Sequence, residues 1–205
     1  MAGIGLYGVY YSKANISDGV VTGYNGVSQM GKAISASFEQ TEPNDNPLYA
    51  NNGIAEHDSH AGSGGTLTLT LDRLTQAAAA DLYGLTLKTS TVEVASTTVT
   101  GTGFDYTGDE QSVPVGVAFI RWCQEQDDRN KHEVVIFRNV TFSFPNIEAQ
   151  TLGDTIEWQT PEIEGTVIGK EGDGTHPWFM TRVFPSQAAA EQFISDQFAA
   201  AAVTT

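Results

Sequence analysis

The residues best suited to chemistry stand together at Glu56-His57-Asp58-Ser59-His60, where two imidazoles and two carboxylates within five positions make a donor set suited to zinc, nickel or copper. They fall in a run of Gly, Asn, Asp and Pro with no rigid element to fix ligand geometry, so a polar loop is the plainer reading of His57 and His60. The other histidines, His132 and His176, sit among charged or turn residues, and no Gly-x-Ser-x-Gly elbow supplies a nucleophile for them to activate. Glu157, Glu162 and Glu164 are close enough in sequence to suggest the paired acids of a glycosidase. With 25 Asp and Glu in 205 residues, such proximity arises without function. Gly62-x-Gly64-Gly65 and Gly101-x-Gly103 lack the Lys and following helix of a phosphate loop. No catalytic residue, metal ligand or cofactor is therefore assigned, and the chain is expected not to be an enzyme.

The bulk numbers narrow the class further. Ten Lys and Arg against 25 Asp and Glu leave a formal charge of −15, which repels phosphate backbones and anionic membranes. The acids are scattered, which argues for a solvated surface and against an acidic tail. One cysteine, Cys123, permits neither an internal disulfide nor a cysteine-based zinc site. The start Met1-Ala2-Gly3-Ile4-Gly5 does not read as a signal peptide, and no run of about 18 apolar residues occurs, so the expectation is a protein made and kept in a cytoplasm.

The elements that carry these residues are mostly strands. Residues 1–30 alternate short apolar runs with turn signals and read as an N-terminal arm or edge ribbon. Ile34, Ala36 and Phe38 alternate with Ser35, Ser37 and Glu39, a strand with one dry and one wet face. Residues 41–64 read as a long irregular loop, with Leu48-Tyr49 an apolar pair that would gain from burial against a partner. Leu67, Leu69 and Leu71 then alternate with Thr66, Thr68, Thr70 and Asp72 in a second half-buried strand. Thr75 caps a short helix over 76–83 that Gly84 stops. The β-branched run from Thr91 to Thr100, a Gly-rich turn near Gly101 and Gly103, Val113 to Gln124, His132 to Phe144, Thr155 to Gln159 and Pro177 to Phe184 supply further strands. Trp122 and Trp158 are expected to fill the interior. Residues 187–202 form an amphipathic helix with Ala190, Phe193, Ile194, Phe198 and Ala201 on one face. The sum is one domain over 1–205, an antiparallel β-sandwich or barrel with one short and one longer helix.

Five features stand in a telling order: Pro47-Leu48-Tyr49-Ala50-Asn51-Asn52 followed by a polar loop, Gly64-Gly65-Thr66-Leu67-Thr68-Leu69, a short helix closing at Tyr83-Gly84, the opening Gly5-Leu6-Tyr7-Gly8-Val9-Tyr10-Tyr11-Ser12-Lys13-Ala14, and Arg182-Val183-Phe184 leading into the last helix. In order and spacing they resemble the phi13-type major tail proteins of siphophages. The resemblance implies a structural virion protein of the phage tail, made in the host cytoplasm. It implies a hexameric ring whose sheets join across subunits, with rings stacked into a tail tube that conducts DNA during ejection. Its implied partners are further copies of itself, a tape measure protein and a tail terminator, with DNA passing through without specific binding and no membrane. On that arrangement Ser35, Ser37, Glu39, Thr66, Thr68, Thr70 and Asp72 face the lumen, Ile34, Phe38, Leu67, Leu69 and Leu71 face the core, and the 41–64 loop, with Pro47, Leu48, Tyr49, Asn51 and Asn52, contacts a neighbour. Two alternatives stand beside it: a carbohydrate-binding β-sandwich, motivated by three Trp and acidic Gly-rich loops, and the tube protein of a contractile secretion system.

Overall fold

The computed structural model describes residues 2–41, 45–50, 53–59, 64–125, 128–145, 149, 151, 158–169 and 177–199. The chain is mainly β, with antiparallel pairing throughout and two helices. Its longest strands are β1 (Ala2–Ser17), β10 (Val115–Glu125) and β11 (Asp128–Phe142), which lie side by side in that order. From β11 the sheet continues to β12 (Glu162–Val167), β7 (Gly65–Leu71) and β4 (Ala33–Gln40). Along β1 lie β2 (Val20–Tyr24) and β3 (Ser28–Gly31), and β13 (Phe179–Phe184) pairs with β11 beside β12. Only Lys32 separates β3 from β4, so the chain itself completes a circuit: pairing leads from β1 through β10, β11, β12 and β7 to β4, and β3, continuous with β4, pairs with β1.

One cluster fills the inside of that circuit, with Val9 and Tyr11 of β1, Met30 of β3, Leu67, Leu69 and Leu71 of β7, Phe119 of β10, Phe137 of β11 and Ile163 of β12 in contact. The helix α1 (Gln76–Tyr83) adds Ala78, Leu82 and Tyr83. It forms where expected, because the Thr75 hydroxyl accepts a hydrogen bond from the Ala78 amide and Gly84 takes the left-handed conformation (φ 62°) that ends it. Lys13 and Tyr11 of β1 reach Asp81 on this helix at 2.8 and 2.9 Å and fix it to the sheet.

A second cluster lies on the other face of β10 and β11, where Ala118, Ile120, Val134 and Ile136 meet Ala190, Ile194 and Phe198 of the helix α2 (Gln187–Gln197) and its cap. This explains the unbroken apolar run over 115–120: β10 is covered on both faces, so both alternating sets must be apolar. Ala190, Ile194 and Phe198 are the expected inner stripe of α2; Ala201 lies outside the described residues.

The N-terminal segment is a long strand, paired with β10 from Ala2 to Lys13 and with β3 and β2 only from Val9 onward, so its first half keeps one edge open among the described residues. Other expectations are corrected. Within 41–64 the backbone forms a hairpin of β5 (Asp45–Ala50) and β6 (Gly53–Ser59) where an irregular loop was expected. The run from Thr91 to Thr100 is two strands, β8 (Lys88–Val94) and β9 (Thr97–Gly103), and the turn falls at Ala95-Ser96, both with positive φ, not at Gly101 or Gly103. Trp122 and Trp158 are 44% and 85% exposed and are not core residues. Of the strand expected over 155–159, residues 155–157 lie outside the described residues and Trp158 and Gln159 are not in a strand.

Candidate functional site

The longest polar rows among the described residues run across the outer face of β4, β7 and β12. Their register sets residues in rows: Ser35 beside Thr70 beside Glu162, Ser37 beside Thr68 beside Glu164, and Glu39 beside Thr66 beside Thr166. The third row runs on to Thr141 of β11. Adjacent strands are about 4.8 Å apart, so each row is a continuous polar band. Ser35, Ser37, Glu39, Glu162, Glu164 and Thr166 are exposed, and the three threonines of the central strand are half-buried between them. No Lys or Arg stands in any row.

The alternation behind this face is strict. In β7 and β12 the intervening residues Leu67, Leu69, Leu71, Ile163 and Val167 are buried. A one-residue slip would turn these to water, so the polar face is fixed by the burial of the dry one. In β4 the pattern is broken once. A register shift lies between Ala33 and Ser35, so Ala33, Ala36 and Phe38 pack on the core while Ile34 is 53% exposed, contrary to the expectation that it faces inward. The bulge leaves Ser35 opposite Thr70, where its hydroxyl donates a 2.8 Å hydrogen bond to Thr70 Oγ1.

Asp72 differs from its companions. It stands one residue beyond β7, and its Oδ1 accepts from the backbone amides of Lys32 (2.8 Å) and Arg73 (2.9 Å). The amide of Lys32, followed by that of Arg73 and the charges of Arg73 and Lys32, holds its carboxyl below the usual range against a smaller desolvation effect. This carboxylate clamps the one-residue joint between β3 and β4, while Glu39, Glu162 and Glu164 stand on the open rows.

Of the seven residues expected on one wet face, Ser35, Ser37, Glu39, Thr66, Thr68 and Thr70 share it, whereas Asp72 lies past the end of β7; Glu162, Glu164, Thr166 and Thr141 stand in the same rows and were not expected there. The signal was present in Glu162-Ile163-Glu164-Gly165-Thr166-Val167, which alternates as strictly as β7. The glycosidase comparison fares differently. Glu162 and Glu164 stand exposed on an open strand face, and Glu157 lies outside the described residues.

The expected neighbour-contact residues are only partly placed. Pro47, Leu48 and Tyr49 are in β5, with backbone positions opposite His57, Glu56 and Ile54 of β6, and Asn51 and Asn52 lie outside the described residues. His57 is in β6, and His60 and His176 lie outside the described residues. Among the described residues no group of three His, Cys, Asp or Glu is placed to hold a metal ion, and no helix is long and apolar enough to cross a membrane. His132, on β11, stands between Trp122 of β10 and Phe184 of β13 in register. Compared with protein-family models and with curated proteins, the sequence gives no match.

Proposed function

We propose that this chain is the tube subunit of a long-tailed phage tail, which joins copies of itself into hexameric rings stacked around a channel for DNA, and that the β4–β7–β12 face lines this channel. One observation carries the reading: ten residues in register across four strands present hydroxyls and carboxylates without a single cation, over a dry face of Leu, Ile and Val. DNA carries one negative charge per about 1.7 Å of axis, and a protein binds it by placing Lys or Arg against phosphates. A face of Thr, Ser and Glu makes no such contact and lets a genome slide. The net charge of −15 acts in the same direction. On this reading the further partners are a tape measure protein within the channel and a terminator at the tube end, and the β5–β6 hairpin reaches a neighbouring subunit.

Sedimentation velocity across a wide concentration range tests the reading. Cooperative growth to large species is expected, since identical heterologous contacts propagate once formed. A chain that sediments as one monomer at every concentration contradicts it.

A second reading has its own observation. Trp158 at 85% and Trp122 at 44% exposure offer ring faces for stacking on sugars, as in a carbohydrate-binding sandwich. Glycan-array binding lost in Trp158→Ala supports that reading; an array without hits removes it.

A further inference from the structure

We infer that the β8–β9 ribbon is a docking arm for a second copy of this chain, seated on the uncharged first half of that copy's β1. The ribbon pairs with no other described strand, and all its residues are exposed save Gly103, which is partly so. A two-stranded hairpin alone is marginally stable in water. Its two faces differ. Register places Val92 opposite Val99, Val94 opposite Thr97, Ser90 opposite Gly101 and Lys88 opposite Gly103 on one face, and Thr89, Thr91, Glu93, Thr98, Thr100 and Thr102 on the other. At the base of the ribbon the Thr face touches α1, where the Thr102 hydroxyl donates to Gln76 Oε1 (3.1 Å) and Gln76 Nε2 donates to the Thr102 carbonyl (3.2 Å). The valine face leaves Val92, Val94 and Val99 at 59%, 58% and 48% exposure. Gly101 and Gly103 beside the valines present no side chain, and a Cβ added at Gly103 meets nothing within 4 Å.

Charge selects the occupant. Two bodies of net charge −15 repel, and they approach most easily where neither carries net charge. On the valine face the one charged residue, Lys88, is paired with Asp105 at 2.8 Å, so that face is neutral. The same chain offers a matching surface in Ala2–Gly8, which has no charged side chain. Over these residues β1 pairs with β10 on one side only, because β3 joins at Val9, so among the described residues the other edge is open. Ile4 and Tyr7 on it are 47% and 46% exposed, beside Trp122. An open strand edge flanked by apolar side chains accepts an added strand and apolar contacts together.

The inference deepens the tube reading and rests on it for the identity of the partner, so two readouts are needed. In the first, full-length Val92→Cys and full-length Ile4→Cys proteins are mixed and treated with a short bismaleimide; Cys123 is 1% exposed and does not compete. A cross-link joining the two variants is expected, and mapped to these two positions by peptide mass. In the second, the triple variant Val92→Thr, Val94→Thr, Val99→Thr keeps β-branched side chains but removes apolar surface outside the core. Its melting temperature should match that of the parent, while the concentration for half-association rises about tenfold or more. Absence of the mixed cross-link, or unchanged association of the triple variant, overturns the inference even if rings form. A mixed cross-link from a protein that never forms rings sustains the ribbon contact and contradicts the tube reading instead.

Discussion

Ser35 and Thr70 are joined by a 2.8 Å hydrogen bond between their hydroxyls across β4 and β7, just past the bulge that turns Ile34 outward. The bond marks where the polar rows begin, and from there Ser37–Thr68 and Glu39–Thr66 follow in unbroken register.

Replacing Glu39, Glu162 and Glu164 together by Lys changes the charge of the rows by six per subunit and should leave folding intact, because all three side chains are exposed. Assembled parent protein should retain no DNA in a filter-binding assay. The triple variant should retain it at low salt and release it as salt rises, since each phosphate contact adds to the salt dependence. In virions the same change should slow genome ejection. Asp72 is left unchanged in this test, because altering it breaks the joint between β3 and β4.

Asp72→Ala should lower the melting temperature at neutral pH by leaving the amides of Lys32 and Arg73 without their acceptor. The folded-state pKa of Asp72 is depressed, so its contribution is present above the unfolded carboxylate range and fades as pH falls through the folded value. The difference between parent and variant should therefore shrink in acid, as read by thermal melts at a series of pH values. A difference independent of pH would show that the carboxylate charge is not what matters.

Tyr10 and Tyr83 are pushed up to about 12, chiefly by burial, and Tyr11 is raised further by burial and its bond to Asp81. A phenol with a raised folded pKa releases its proton first in the unfolded chain, so it stabilises the fold below pH ~10 and loses that effect as pH rises toward the folded value. Stability should fall steeply between about pH 10 and 12, and absorbance at the tyrosinate band should rise together with the loss of near-ultraviolet dichroism. Tyrosinate appearing fully before any loss of structure would contradict the assigned burial.

Phe198 is fully buried at the end of α2, with its ring 4.8 Å from that of Tyr24, and its carbonyl accepts from the Gly26 amide. Phe198→Ala should cost about 3–5 kcal/mol in denaturant unfolding. Gly116→Val should also loosen α2, because a Cβ at Gly116 would lie 2.7 Å from the Phe198 ring and 2.6 Å from that of Tyr24. Normal stability in both variants would show that α2 does not seal this face.

Much of this was legible where one physical signal acts alone. The alternation over 66–71 gave β7 and its faces, and Thr75 with Gly84 bounded α1, because burial period and caps are local. Ile34 was not, since a bulge spoils the period without changing composition. The turn at Ala95-Ser96 was hidden for a related reason: left-handed conformations cost non-glycine residues about 1–2 kcal/mol each, so the glycines at 101 and 103 drew the expectation away from it. Trp122 and Trp158 misled because aromatic size argues for burial, whereas Trp122 sits on a stretch of β10 beyond the reach of α2. Glu162 and Glu164 were visible but read as acids close together by chance; only the pairing of β12 with β7 joins them to the serine and threonine rows.

Self-assembly around an open channel is read most directly by negative-stain electron microscopy of the purified protein at rising concentration. Six-fold rings with a stain-filled centre, stacking into tubes, are the expected result. Particles that remain single at every concentration, from a chain also absent from purified phage tails, would contradict the assignment.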